Sequence, residues 1–307
     1  MNQPVQKTVW RKLDGIIILD KAQGSTSNKV LQIVKRLFAA DKAGHTGSLD
    51  PLATGVLPIC FGEATKVSQY LLDSDKSYIA RIKLGVATTT SDAEGDVVST
   101  HAVPALGEDE LKQLLATFVG EIQQSPSIYS ALKQNGVPLY KLARAGKEII
   151  PKLRTITIYS IKLLEWQSPE LVLDVSCSKG TYIRTLAEDI GKALGCGGHI
   201  TQLRRSKAGP FTLAEAHTLE QLQAISERGF EAMDQLLVKA DQAIDWMPAL
   251  ELDAQQTRKL QQGQAVVLAP LATDELVRVY SAGKFIGIAS IGQDGILKVV
   301  RLMQYEL

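Results

Sequence analysis

Nine consecutive residues, Ser77 to Gly85, alternate with a period of two. Tyr78, Ala80, Ile82 and Leu84 share one face, while Arg81 and Lys83 fall on the other. Successive side chains of a strand point to opposite sides, so this segment reads as a half-buried strand with one covered face. Upstream, Gly15-Ile16-Ile17-Ile18-Leu19 is a short, β-branched apolar run suited to a buried strand. Between the two, Val30, Leu31, Val34, Leu37 and Phe38 recur at helical spacing. The Ser25-Thr26-Ser27 cluster just before them offers N-cap residues.

Further along, residues 86–107 read as a loop, rich in turn formers from Thr88 to Gly95, and a helix is expected over about 108–119. Thr155 to Leu164 and Glu170 to Cys177 look like antiparallel strands, and Thr181 to Leu194 fits a helix closed by Gly195-Cys196-Gly197-Gly198. From about residue 251 the texture changes to short strands separated by Ser281-Ala282-Gly283 and Gln293-Asp294-Gly295. A β-rich appendage of ~55 residues is marginal alone and needs to pack on the main body. At 307 residues the chain suits one large domain and one smaller one.

Several function classes are disfavoured early. No apolar run approaches the roughly 18 residues of a membrane span, and Met1 to Leu13 carries no secretory apolar region. Cys60, Cys177 and Cys196 are odd in number and far apart, which fits a reducing cytosol better than a disulfide framework. The four histidines lack metal-binding spacing, so no protein metal site is expected. Neither phosphate-loop nor dinucleotide glycine motifs occur. The net charge is only +1, but the charges are segregated. Lys133, Lys141, Arg144, Lys147, Lys152 and Arg154 face one acid, Glu148, and a second basic cluster is Arg204, Arg205 and Lys207. Residues 215–253 are acidic. Concentrated positive charge is what a polyanion site needs, although solvated helical faces account for it as well.

Two constellations stand out. In Gly44-His45-Thr46-Gly47-Ser48-Leu49-Asp50-Pro51-Leu52-Ala53-Thr54-Gly55, a histidine, small hydroxyls and a carboxylate sit between glycines. Asp50-Pro51 on its own is a good helix start, with Asp as cap and Pro at the first helical position. In Lys179-Gly180-Thr181-Tyr182-Ile183-Arg184, Gly180 breaks a strand, Thr181 is placed to cap the next helix, and Tyr182 and Arg184 lie near its N-terminus. Local rules read these as a capping aspartate, a surface tyrosine and a solvated arginine. The functional alternative has Arg184 holding a carboxylate ionised in a desolvated pocket.

Taken together and in order, these blocks resemble the bacterial tRNA pseudouridine-55 synthase family of the TruB type. The resemblance also covers Gly15 to Lys21, Gly24-Ser25-Thr26-Ser27, Gly62-Glu63-Ala64-Thr65-Lys66, Tyr78, Thr90-Ser91-Asp92-Ala93-Glu94-Gly95, Tyr129-Ser130-Ala131-Leu132-Lys133 and Leu203-Arg204-Arg205. It spans residues 14–210 and, more loosely, the tail. Two departures are Ala22, where the family usually has proline after the lysine, and Ser48, where it often has alanine. Neither removes a reacting group.

The resemblance implies an α+β fold: a mixed, largely antiparallel sheet with flanking helices over residues 1–250, and a PUA-like β-rich domain over 251–307. The implied reaction, isomerisation of uridine to pseudouridine at position 55 in the tRNA T-loop, needs no cofactor. Asp50 is then the nucleophile, attacking either the base or the ribose carbon, Arg184 its ionic partner, and Tyr78 the ring that stacks on the flipped base and assists C5 deprotonation. Tyr182, Leu203, His45 and Lys21 are implied at the substrate. The basic excursion at 126–154, with Lys133, Lys141, Arg144 and Lys147, corresponds to the family's RNA-gripping insertion. The expected partner is tRNA through its T-arm, met by a cytoplasmic monomer with no membrane association and no obligate protein partner. An RNA-guided relative acting on rRNA and a non-catalytic RNA chaperone are the rival readings.

Overall fold

The computed structural model describes residues 9–125, 152–268 and 275–304, together with 133–134, 136–139, 142, 145, 147 and 149. Lys141 and Arg144, and most of the 126–154 excursion, lie outside the described residues.

A ten-stranded sheet forms the centre. Its main path runs His217–Thr218, Gly15–Lys21, Thr54–Phe61, Gly198–Ala208, Lys76–Leu84, Glu170–Cys177, Arg154–Gln167 and Gly120–Gln124. Ala43–His45 is added on the Thr54–Phe61 strand, and Phe211–Thr212 on the Gly198–Ala208 strand. Most neighbours are antiparallel, but Thr54–Phe61 runs parallel to Gly198–Ala208, and Gly15–Lys21 parallel to His217–Thr218. The sheet is therefore mixed and largely antiparallel, as expected for an α+β protein.

The Gly15–Lys21 strand is apolar without alternation because both of its faces are covered. Ile17 and Leu19 pack with Val30, Leu31, Val34 and Phe38 of the helical stripe. Ile16 and Ile18 pack instead with Val56, Cys60, Ile244 and Met247 on the other side. The stripe is the helix Ser27–Leu37, capped by the Thr26 hydroxyl, which accepts from the Lys29 N–H.

Other expectations meet a mixed outcome. Arg154–Gln167 and Glu170–Cys177 pair antiparallel, and the helices are Glu108–Ala116 and Ile183–Ala193. The segment expected as a loop over 86–107 contains a small hairpin, Val86–Thr88 with Val97–Thr100. Its strands are too short and too exposed for their alternation to show. Asp50 does not cap a helix: residues 46–53 form an irregular loop leading into the Thr54–Phe61 strand. Nor does Thr181 cap the following helix. Its hydroxyl donates to the Ser178 carbonyl, and the N-cap position falls to Tyr182, which offers no side-chain cap.

A second, five-stranded sheet uses Ala249–Leu252, Glu275–Ser281, Lys284–Ile291, Ile296–Leu302 and Val266–Val267. It does not stand alone. Phe285, Ile288 and Met303 join the cluster built on Ile16, Ile18, Val56 and Cys60. No described helix is long and apolar enough to cross a membrane.

Candidate active site

The parallel junction in the large sheet assembles the site. Arg205 pairs with Gly55 on one side and with Tyr78 on the other. Tyr78 pairs in turn with Val175, whose strand ends at Cys177, shortly before the helix that carries Arg184. Segments far apart in sequence thus become lateral neighbours. The junction demands glycine at position 55: φ is +100°, and a Cβ there would lie 2.2 Å from the Arg205 carbonyl oxygen.

Arg184 meets Asp50. Its Nε lies 3.0 Å from Asp50 Oδ2, and Nη1 lies 3.2 Å from Asp92 Oδ2. Nη1 also donates to the Thr90 carbonyl at 3.2 Å. The Arg184 and Asp92 side chains are 7% and 4% exposed, whereas Asp50 keeps 43% of its side chain open. Asp92 is itself fixed, accepting from the Thr90 hydroxyl and from the Glu94 N–H at 3.0 Å. The result is a relay in which one buried cation is anchored by a buried carboxylate and offers its remaining edge to an open one. Burial raises the Asp50 pKa above the ordinary carboxylate value, and the Asp92 charge adds to this; Arg184 and Lys21 pull it down.

Two clefts meet at this pair. One, of about 410 Å³, is lined by Asp50, Tyr78, Tyr182, Arg184, Leu203 and Arg205 among others. The other, of about 750 Å³, is lined by His45, Asp50, Asp92, Glu94 and Arg184 among others. Tyr78, Tyr182 and Leu203 therefore share the first cleft with Asp50, and His45 borders the second. The Tyr78 phenol is pushed up by burial, and the facing Arg205 guanidinium offsets part of that cost. The His45 pKa is pushed down by burial and by Arg205, and its Nδ1 is buried without a hydrogen-bond partner among the described residues.

Lys21 lies under the Asp50 loop, near enough for its charge to act on Asp50. It is 1% exposed and lines neither cleft. Its ammonium donates to the carbonyls of Ala53 at 2.7 Å, Ala22 at 3.0 Å and Pro51 at 3.5 Å. It holds the Asp50 loop from beneath. The basic cluster at 204–207 also dissolves. Arg204 forks onto Asp20 at 2.6 and 3.1 Å, and Arg205 is 2% exposed, its Nε on the Val56 carbonyl at 2.7 Å. Lys207 is exposed, and Arg204 keeps 41% of its side chain open although it is paired with Asp20. Of the excursion's basic residues, Lys147 is exposed and Lys133 belongs to a two-residue strand.

Asp92 and Arg205 were not singled out from the sequence, although both fall inside the quoted blocks. The hydroxyl-rich Thr88-to-Asp92 stretch was the one available sign for Asp92. Among the described residues, no group of three or more His, Cys, Asp or Glu is placed to hold a metal ion.

Comparison with known proteins identifies the family. Residues 35–183 match the model of the TruB family pseudouridylate synthase N-terminal domain. Residues 184–245 and 248–303 match two TruB C-terminal domain models. The chain is 52% identical to tRNA pseudouridine synthase B of Ectopseudomonas mendocina, over 97% of each chain. It is 48% identical to the protein of that name from Chromohalobacter salexigens, over 95% of this chain and 94% of the other. Among solved structures, one chain of a Cbf5-Nop10-Gar1 complex superposes with a TM-score of 0.74 at 27% identity, covering 94% of this chain and 85% of that one. The chain belongs to the TruB family of pseudouridine synthases.

Proposed function

We propose that this protein isomerises uridine to pseudouridine at position 55 in the T-loop of tRNA, with Asp50 as the nucleophile. The observation that carries the reading is the open Asp50 carboxylate, held by a buried Arg184 at the mouth of a cleft flanked by two tyrosines. The cleft volume of about 410 Å³ falls within the range of about 300–1,000 Å³ typical of small-ligand sites. A uridine in a stacked T-loop reaches such a cleft only by leaving its stack.

The chemistry follows from the charges. Asp50 must be ionised to attack, and Arg184 keeps it so as water is displaced. Tyr78 supplies the face on which the uracil stacks and assists removal of the C5 proton after the N1–C1′ bond has been exchanged for C5–C1′. Tyr182 and Leu203 wall the pocket, and His45 fills the space left by the extruded base. Lys21 acts through the loop that it clamps. Lys133, Lys141, Arg144 and Lys147 of the 126–154 excursion grip T-arm phosphates, and residues 251–307 form a PUA-like module that reaches the acceptor stem. The protein works as a cytoplasmic monomer without an obligate protein partner.

Similarity favours this reading over an RNA-guided one. Identity is 48–52% to the tRNA enzymes compared above and 27% to the chain from the Cbf5 complex. A tRNA-folding role can coexist, because extruding the base breaks T-loop contacts. The deciding experiment is incubation with an unmodified tRNA transcript followed by mapping of pseudouridine. Wild type is expected to modify U55 alone. Asp50→Asn is expected to lose about 10⁴-fold or more in rate while still binding tRNA. Undiminished turnover by that variant would remove Asp50 from the chemistry.

A further inference from the structure

The strand Gly120–Gln124 ends where the chain departs into the 126–154 excursion, and Arg154, where it returns, is the register partner of Gln124. Gln124 thus stands at the root of the excursion. Its side chain does not face solvent: the residue is 2% exposed. The amide Oε1 accepts from the Tyr182 N–H at 2.7 Å, and Nε2 donates to the Tyr182 carbonyl at 3.0 Å. One side chain therefore binds both polar groups of one backbone residue, as a neighbouring strand would.

Tyr182 needs this support. It is the N-cap of the helix Ile183–Ala193 but has no side-chain cap of its own. Its ring lines the Asp50 cleft, and Arg184 follows within the first helical turn. A second tie lies beside the first, the Thr185 hydroxyl donating to the Ser125 carbonyl at 3.4 Å. Rotation of the Tyr182 peptide would move both the pocket wall and the cation that faces Asp50.

We propose that Gln124 is a positioning residue for the isomerisation: by pinning the Tyr182 backbone it sets the Tyr182 ring in the cleft and Arg184 on Asp50. The inference rests on the reading of Asp50 as nucleophile. It assigns Gln124 no contact with uridine, and so separates its effect on rate from any effect on tRNA affinity.

Gln124→Met keeps length and volume but removes both hydrogen bonds. Gln124→Glu keeps the acceptor for the Tyr182 N–H. When ionised it repels the Tyr182 carbonyl, and when protonated it restores the second bond. Single-turnover pseudouridine formation and tRNA Kd are measured for both variants and for wild type across pH. Gln124→Met is expected to lose about 10-fold or more in rate, equivalent to ~1.4 kcal/mol, with Kd within about twofold of wild type. For Gln124→Glu, the rate relative to wild type is expected to rise as pH falls and the buried carboxyl takes up its proton. A rate for Gln124→Met within twofold of wild type, a loss lying wholly in Kd, or a flat Glu-to-wild-type ratio would overturn the proposal. Should Gln124→Met fail to fold, the pH ratio of Gln124→Glu decides. A wild-type protein that makes no pseudouridine overturns the Asp50 reading and this inference with it, whereas active wild type with indifferent variants overturns the inference alone.

Discussion

Arg184 serves two carboxylates, and they affect Asp50 in opposite ways. Arg184 itself lowers the Asp50 pKa, while the Asp92 charge raises it. With Asp50 as the proposed nucleophile, which must be ionised to attack, activity is expected to fall as pH drops through its raised pKa. Arg184→Met removes the opposing charge, so the acid limb of the single-turnover profile should move to higher pH, alongside a rate loss on the order of 10²-fold. Asp92→Asn removes a repulsion, so its acid limb should move to lower pH. Limbs that stay put in both variants would show that the relay does not set the Asp50 charge. Asp92→Ala should also destabilise the fold by about 3 kcal/mol in urea titrations, because it leaves a buried guanidinium short of a counter-charge. Little of this was legible in the sequence. Asp92 lay in a run of turn formers, and Arg204 and Arg205 read as one basic patch. Strand alternation sends the first outward to Asp20 and the second inward beside Tyr78. The side-chain period was known in advance; which face the sheet would bury at that point was not.

Elements were more readable where their burial is regular. The alternating Lys76–Leu84 strand and the Ser27–Leu37 helix follow their patterns because each has a defined covered face. The Asp50 loop did not, since Asp50-Pro51 obeys every local rule for a helix start. What overrides those rules is the parallel pairing of Thr54 with Arg204 and Gly55 with Arg205, together with the Lys21 clamp, both long-range. Gly55 is the hinge of that override. Gly55→Ala would place a methyl 2.2 Å from a backbone oxygen at a positive φ, so neither rotamer change nor side-chain movement can relieve it. We expect a loss on the order of 3–5 kcal/mol in stability and a collapse of activity, read from denaturant midpoints and single-turnover rates. Near-native stability in Gly55→Ala would mean that the strands can part at this junction without cost to the fold.

The two sheets share a core, and that links the tail to the catalytic body. Phe285, Ile288 and Met303 pack in one cluster with Ile16 and Ile18, which lie on the back of the strand bordering the Asp50 loop. Polar contacts seal the seam: the Tyr280 hydroxyl donates to Asp241 at 2.8 Å, and the Lys66 ammonium to the Leu302 carbonyl at 2.8 Å. The sequence signalled a β-rich appendage that needed a partner, but not that its partner would be the reverse face of the first strand. A tail docked through polar contacts alone would come and go without disturbing the body. One that supplies side chains to the body's own core cannot. Phe285 is 7% exposed, and Phe285→Ala should cost about 3–5 kcal/mol, the usual range for emptying a buried aromatic site. That loss should speed amide exchange in both Lys284–Ile291 and Gly15–Lys21, and lower both to a common thermal midpoint. Faster exchange confined to the tail strands, with the Ile16 to Ile18 amides unchanged, would show that the two sheets unfold independently.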